Sequence, residues 1–446
     1  MENIEISSEN NNNSEKQKAW KNFLKMYLVL AILFLIMFAM RSTVTILQVY
    51  VPDISATFAM TEGRIAIIFT IYNLTAALFS LFVGPITERV GYKVIMYTGM
   101  FTYAIAIGLS ALAVQFWMLA LAQSIGGIGA SFFGPATIAY AGDYFPKEKI
   151  STAIGLIMSS FYVATIVAVP INTYIAELLN WQWAVGVMAI LSLLVFILII
   201  MIVPRIKEKK IESTESKTDE NEQVEIKEEN NLNYFVRMKL VLQNKYAVGT
   251  FFITLFQRGG LFAMTTLLST WLARDGFWNG HFLGLDKSQT GLVLMGTGIA
   301  ALISNTIFSW AADRIGKRTI ILMGTGLTGI AITVFPVLAE VYHNLNIAII
   351  GFIVVNFFGG ISMGSYNAFV TEVAPKSKGT SVAINNAFGQ IGLAIAVALI
   401  ARLVWDKTLN YAYCAFVALG FYIITTILMF VIVRPKKIQE NASKAN

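Results

Sequence analysis

Two arginines in this chain stand where arginine is costly. Arg41 lies in "FAMRSTVTILQVYV" and Arg258 in "FFITLFQRGGLFAMTT", 217 residues apart and each inside an otherwise apolar run. The planar guanidinium offers paired donors that match the oxygens of a carboxylate or phosphate, which a lysine point charge does less well. An arginine at the centre of a bilayer costs at least about 2.5 kcal/mol, so it faces a cavity or a partner. Arg41 is placed about ten residues from either end of its helix, roughly 15 Å from the interface and too far for comfortable snorkelling. Thr45 and Gln48 share its helical face at spacings of four and seven. The candidate acidic partners, Asp53, Glu62, Glu88, Asp143, Glu177, Asp275, Asp313, Glu340, Glu372 and Asp406, all fall at the ends of apolar runs or between them. Two cations without resident anions repel each other across a cavity until something negative arrives, and a small organic anion is the candidate. The alternative is a pair of arginines held by backbone carbonyls, water or a carboxylate at a span end.

The elements that must position these residues are apolar helices. The composition, 56% hydrophobic and 13% charged over 446 residues, cannot be folded into a water-soluble globule. About 20 apolar residues cross a hydrocarbon core of about 30 Å, and twelve runs qualify. They lie near 24–48, 61–83, 93–114, 117–140, 150–178, 181–204, 246–272, 289–311, 318–340, 346–371, 380–404 and 410–434. The expected architecture is an all-α membrane protein. Residues 1–20 are polar and Asn-rich and are expected to be a disordered tail, without the order of a cleaved signal peptide. Residues 205–245 carry dense mixed charge and divide the spans six and six, as a flexible linker between bundles at 21–204 and 246–434, with a second tail at 435–446. With the termini placed inside, 26 of the 33 Lys and Arg fall on the cytoplasmic side, five on the other and two within spans. That asymmetry predicts cytoplasmic termini, and it explains the net charge of +7 without any nucleic acid. One cysteine, Cys414, and two histidines leave no disulfide framework and no metal cluster to expect.

The halves repeat. "GPITERVGYK" (Gly84 to Lys93) follows the second span and "SWAADRIGKR" (Ser309 to Arg318) the eighth, with Glu88 and Asp313 225 residues apart. "DYFPKEK" closes the fourth span and "EVAPKSK" the tenth, with Pro146 and Pro375 separated by 229. Arg41 and Arg258 occupy corresponding places in the two halves. Twelve spans, the duplicated loop and the charged linker resemble the major facilitator superfamily over nearly the whole chain. That resemblance implies two six-helix bundles rocking about a central cavity in alternating access. Glu88 and Arg89, with Gly84 and with Gly91 allowing close approach, would then latch the neighbouring bundle in one state. A second latch would use Asp313, Arg314 and Arg318, with Asp143 and Glu372 as charge partners. Ordinary topology charges at helix ends are the competing reading.

The segments around the two arginines, with "LGLDKSQTG" ahead of span eight, look like the organophosphate:phosphate antiporter branch, which binds phosphate with one arginine in span one and another in span seven. The chain departs from that branch where its lysine, histidine and tyrosine fall on Ser80, Val163 and Gln390, so an organic carboxylate is equally admissible. "LAQSIGGIGASFFGPA" and "VPINTYIAELLNWQW" resemble the drug:proton and sugar-efflux branches, but Gln123 stands where those carry an arginine, and Arg41 at or near an aspartate. Proton antiport needs a tunable intramembrane carboxylate or histidine. None is evident, so exchange or facilitated diffusion is expected. Gln123, Tyr162, Tyr366, Asn385, Asn386 and Gln390 lie on spans that this fold turns toward the cavity, though Asn and Gln in spans often only join helices. The glycines of "GGIGA" and "FFGGISMG" are expected to pack helices closely, and Trp271 and Trp278 to anchor at the interface. The reading is a transporter and no enzyme: a cofactor-free monomer in a bacterial cytoplasmic membrane, binding a small organic anion. Efflux of a drug-like or sugar-like solute is the runner-up, and a transporter-shaped sensor the reading from another class.

Overall fold

A computed structural model of the chain describes residues 2–146, 149–206, 234–272, 285–373 and 378–432. Among them, twelve helices are long and apolar enough to cross a membrane. In order they are Phe23–Val49, Glu62–Thr87, Tyr92–Ala111, Phe116–Tyr144, Thr152–Leu178, Trp181–Ile202, Lys245–Leu272, Lys287–Ala312, Arg318–Tyr342, Leu345–Met363, Thr380–Thr408 and Tyr411–Ile432, here spans one to twelve. The face at which span one begins is the terminal face, and the opposite one the far face.

Helix contacts repeat with a shift of six. Spans three and four pack together, as do nine and ten; two packs on four, as eight on ten; three on six, as nine on twelve; one on five, as seven on eleven. Across the molecule, span two meets span eleven and span eight meets span five, again an equivalent pair. Small residues allow several of these contacts. A Cβ at Gly127 would stand 2.3 Å from the Tyr72 carbonyl oxygen, and one at Gly360 2.7 Å from that of Ala301, so the expected packing role of both glycine clusters holds. Spans five and eleven each contain a π-helical stretch, Ala164–Ala168 and Ala398–Trp405, at the places where they meet the opposite bundle.

The loop repeat has a backbone reason. Gly91 and Gly316 close spans two and eight with φ of 85° and 103°, a region that side chains disfavour. Nothing lies within 4 Å of a Cβ built at Gly91, so in this conformation the glycine serves its dihedral angle. A close approach occurs at Gly84, where a Cβ would sit 2.8 Å from the ring of Tyr234.

Four other expectations change. The helix of span one runs from Glu2 to Val49, where a disordered tail is expected for residues 1–20; extending a formed helix is far easier than nucleating one. The final part of the 205–245 linker is helical, Tyr234–Gln243, because Tyr234, Val241 and their neighbours have an apolar surface to cover; residues 207–233 and the 435–446 tail lie outside the described residues. Arg41 is not midway along its span: it lies 18 residues from Phe23 but eight residues, roughly 12 Å, from Val49. Trp271 is buried instead of interfacial, since its ring stacks on Tyr411 at 4.3 Å and its indole N–H donates to Glu340 Oε1 at 2.8 Å. Trp278 lies outside the described residues.

Candidate functional site

Span one holds Arg41 half-buried on its inner side. Ser42 and Thr43 turn their hydroxyls back onto the carbonyls of Phe38 and Ala39, to which they donate. The phenols of Tyr72 on span two and Tyr162 on span five lie within electrostatic reach of it. Tyr103 on span three fixes the local backbone by donating to the Met40 carbonyl at 3.2 Å. Among the described residues no carboxylate pairs with Arg41. Tyr162 also reaches the other bundle, its hydroxyl standing 3.8 Å from Met363 Sδ.

Arg258 occupies the equivalent place on span seven, also half-buried. Its Nη1 donates to Asn386 Oδ1 at 3.5 Å, and the side chain lies on Gly389, where a Cβ would come 3.0 Å from Nη1. Gln257, beside it, spans to Ser362 at 2.9 Å and Thr325 at 3.4 Å. One turn earlier, Thr254 joins spans seven, ten and eleven: its Oγ1 is 2.8 Å from the Tyr366 hydroxyl and donates to Asn385 Oδ1 at 2.5 Å. Tyr366 and Asn385 are therefore tied into the wall that carries Arg258. Gln390 places its Oε1 in a buried position without a partner.

The other sequence candidates have the following surroundings. Thr45 is buried with its hydroxyl unpartnered. Gln48 crosses to span seven, donating to Thr266 Oγ1 at 2.9 Å, while Ser269 donates to the Gln48 carbonyl at 2.6 Å. Gln123 turns toward span three, where its amide donates to Ser110 at 2.9 Å. Tyr72, near Arg41, and Gly389, against the Arg258 side chain, are neighbours of the two arginines that the sequence reading does not name; Gly389 adjoins Gln390 in sequence, whereas nothing local sets Tyr72 apart from other tyrosines in spans.

The two ends of the bundle interface differ. On the far face, Asp53 and Lys287 form a 2.7 Å salt bridge and Asp406 accepts from Thr61 and Gly63, both between the bundles. Thr70 also donates across to the Ala394 carbonyl at 3.2 Å. On the terminal face, Asp143 accepts from Tyr92 of its own bundle at 2.9 Å, Arg314 lies 3.9 Å from the centroid of the Trp310 ring, Arg89 is exposed and the Arg318 Nε is unpartnered. None of these four forms an ion pair among the described residues; the side chains of Glu88, Asp313 and Glu372 lie outside them. A cavity of about 340 Å³ on the far face is lined by Asp53, Glu177, Asp286 and Lys287. Three carboxylates against one ammonium repel an anion, so this is not the site the arginines define.

Comparison with known proteins bears on the family and the fold. The chain is 26% identical over 326 residues to an uncharacterized MFS-type transporter, YwfA, of Bacillus subtilis (strain 168), covering 73% of this chain and 74% of that one. It is 29% identical over 140 residues to the sialic acid transporter NanX of Escherichia coli (strain K12), covering 31% and 35% of the two chains. The crystal structure of a nucleoside transporter, NupG, superposes with a TM-score of 0.70 at 15% identity, over 92% of this chain and all (100%) of the other. That likeness concerns the fold. The profile of the Major Facilitator Superfamily matches residues 32–285 and 250–446. With twelve spans, the sixfold-shifted packing and this match, the chain is a multi-pass membrane protein that belongs to the Major Facilitator Superfamily.

Proposed function

We propose that this transporter moves a small organic anion by alternating access, with Arg41 and Arg258 as its binding pair. The observation that carries the reading is Arg41: a guanidinium deep in span one, faced by the Tyr72 and Tyr162 phenols and joined to no carboxylate among the described residues. A phenol hydroxyl is a weak partner for a full positive charge at that depth, and a bound anion completes the site. Arg258 supplies a second donor fork, oriented by the Asn386 amide and the Gly389 surface.

Within organic anions, a carboxylate is favoured over a phosphate ester. A phosphate dianion calls for more positive charge than a monocarboxylate, and Ser80, where the phosphate branch has a lysine, folds its hydroxyl back onto the Ala77 carbonyl at 2.8 Å. The relative named for sialic acid transport is in keeping with an acidic substrate. Exchange, or facilitated flux limited by return of the empty carrier, follows from the same electrostatics, because a buried guanidinium such as Arg41 resists reorientation until an anion is bound.

The test is a thermal-shift series on purified protein with sugar acids, dicarboxylates, phosphate esters and neutral sugars, followed by counterflow in proteoliposomes. A ligand that binds only the folded protein raises its apparent stability. Carboxylates are expected to stabilise and to exchange. A response confined to neutral sugars overturns the reading and favours the sugar-like alternative; binding without flux favours a sensor. The termini are placed in the cytoplasm and the protein in the cytoplasmic membrane, which accessibility of a tag at either end of the chain checks in sealed cells.

A further inference from the structure

The far end of span eleven carries a carboxylate that the anion reading does not use. Asp406 follows the π-helical stretch Ala398–Trp405, and its side chain is only 6% exposed. It accepts three hydrogen bonds: from the Gly63 backbone N–H at 2.9 Å, from the Thr61 hydroxyl at 2.8 Å, and from Arg402 Nη1 at 2.7 Å. The first two donors belong to the other bundle, at the N-terminus of the helix Glu62–Val90. Thr61 is that helix's N-cap. The first backbone N–H groups of a helix have no partner within it and carry the positive end of its dipole, so a carboxylate supplied from across the interface satisfies a real need.

The fit leaves no tolerance. A Cβ at Gly63 would come 2.3 Å from the Ala401 carbonyl oxygen and 2.4 Å from Asp406 Cγ, so glycine is the residue that lets the two backbones meet. The wider π turn is what presents Ala401 and Asp406 together, and such turns recur where helices carry function. The junction is also reversible. When the bundles part, water can solvate Gly63 N–H and the Asp406 carboxylate, and Arg402 remains with Asp406 because both sit on span eleven. At the terminal face, Arg89, Asp143, Arg314 and Arg318 make no comparable bond across the interface among the described residues.

The geometry points to Asp406 as the latch that holds the far face shut: its carboxylate clamps the start of span two from the opposite bundle and biases the resting carrier toward the conformation open on the terminal face. Its role is in positioning the bundles, since it does not touch the proposed anion site.

The test reads conformation without any substrate, so it can fail while the anion assignment stands, and the reverse. Thr290→Cys places a thiol at the buried far-face interface, and its reaction with a bulky maleimide is timed on purified protein in nanodiscs, against the parent in which Cys414 is buried. Asp406→Ala is expected to speed labelling about tenfold, Asp406→Asn by less, and Gly63→Ala at least as much as Asp406→Ala, on the scale of a charge-assisted hydrogen bond. Arg402→Gln removes only the partner on the same helix and is expected to leave the rate within about twofold of the parent. Unchanged labelling in Asp406→Ala overturns the proposal. Equal acceleration by Arg402→Gln also overturns it, because the effect would then be local loosening of span eleven.

Discussion

Arg41 and Arg258 occupy equivalent places in the two halves but are held differently. Arg41 has phenols for neighbours, whereas Arg258 lies on Gly389 with an amide oxygen at Nη1. Changing Arg41 to Gln is expected to weaken carboxylate binding by about 2 kcal/mol, some thirtyfold, while Arg41→Lys restores part of it because charge survives and the fork does not. Isothermal titration with the ligand found by thermal shift measures both. Gly389 gives a subtler handle. Gly389→Ala would put a methyl 3.0 Å from Nη1 and 3.1 Å from Cδ, which the long side chain can accommodate only by moving its tip. Affinity is expected to fall about fivefold, close to 1 kcal/mol, with folding stability nearly unchanged. Equal loss of stability and affinity would show that Gly389 serves packing alone.

At the scale of elements, span eleven is the most heavily committed helix. It packs on span seven through Gly392, where a Cβ would fall 2.0 Å from the Leu255 carbonyl oxygen, and on span two through its π stretch. Gly392→Ala is therefore expected to cost about 1–3 kcal/mol of stability, seen as a lowered melting temperature, since the clash is with backbone and no flexible tip can yield. Span five carries the second π stretch against span eight, where a Cβ at Gly298 would stand 3.2 Å from Thr165 Cβ. The two π stretches sit in equivalent spans, yet only span eleven follows its stretch with a buried carboxylate across the interface.

For the whole molecule, charges on the far face are not interchangeable. The Asp53–Lys287 bridge has side chains 25% and 34% exposed, whereas Asp406 is nearly buried. Exposed ion pairs contribute roughly 0–1 kcal/mol and are screened by salt. Lys287→Met is thus expected to leave labelling of the Thr290→Cys reporter within about threefold of the parent, and to bring the parent's salt dependence close to zero.

Much of this was legible in the sequence. Twelve spans follow from apolar run length, the two halves from the repeated loop, and the arginine pair from the cost of a guanidinium in hydrocarbon. These are one-dimensional facts: hydrophobicity, charge and period act on each segment before any segment meets another. What the sequence misjudged depended on neighbours. Trp271 was assigned to the interface because tryptophan favours it, but Tyr411 and Glu340 offered its ring and its N–H a better place inside. Gln48 and Gln123 read as ligand contacts, and which helix each amide bonds, span seven for one and span three for the other, was not legible in one dimension. Sequence also does not distinguish a glycine needed for its dihedral angle, as Gly91 is here, from one whose absent side chain lets a ring approach, as at Gly84.

The sequence by itself determined that this is a membrane protein of two six-helix halves with a cation buried in each, since those properties are set by composition and by spacing along one chain. Only the tertiary structure decided which groups of one bundle meet those of the other on the far face. Thr61 and Asp406 are 345 residues apart, and a hydrogen bond between them depends on the packing of span two against span eleven, a relation that no local pattern encodes.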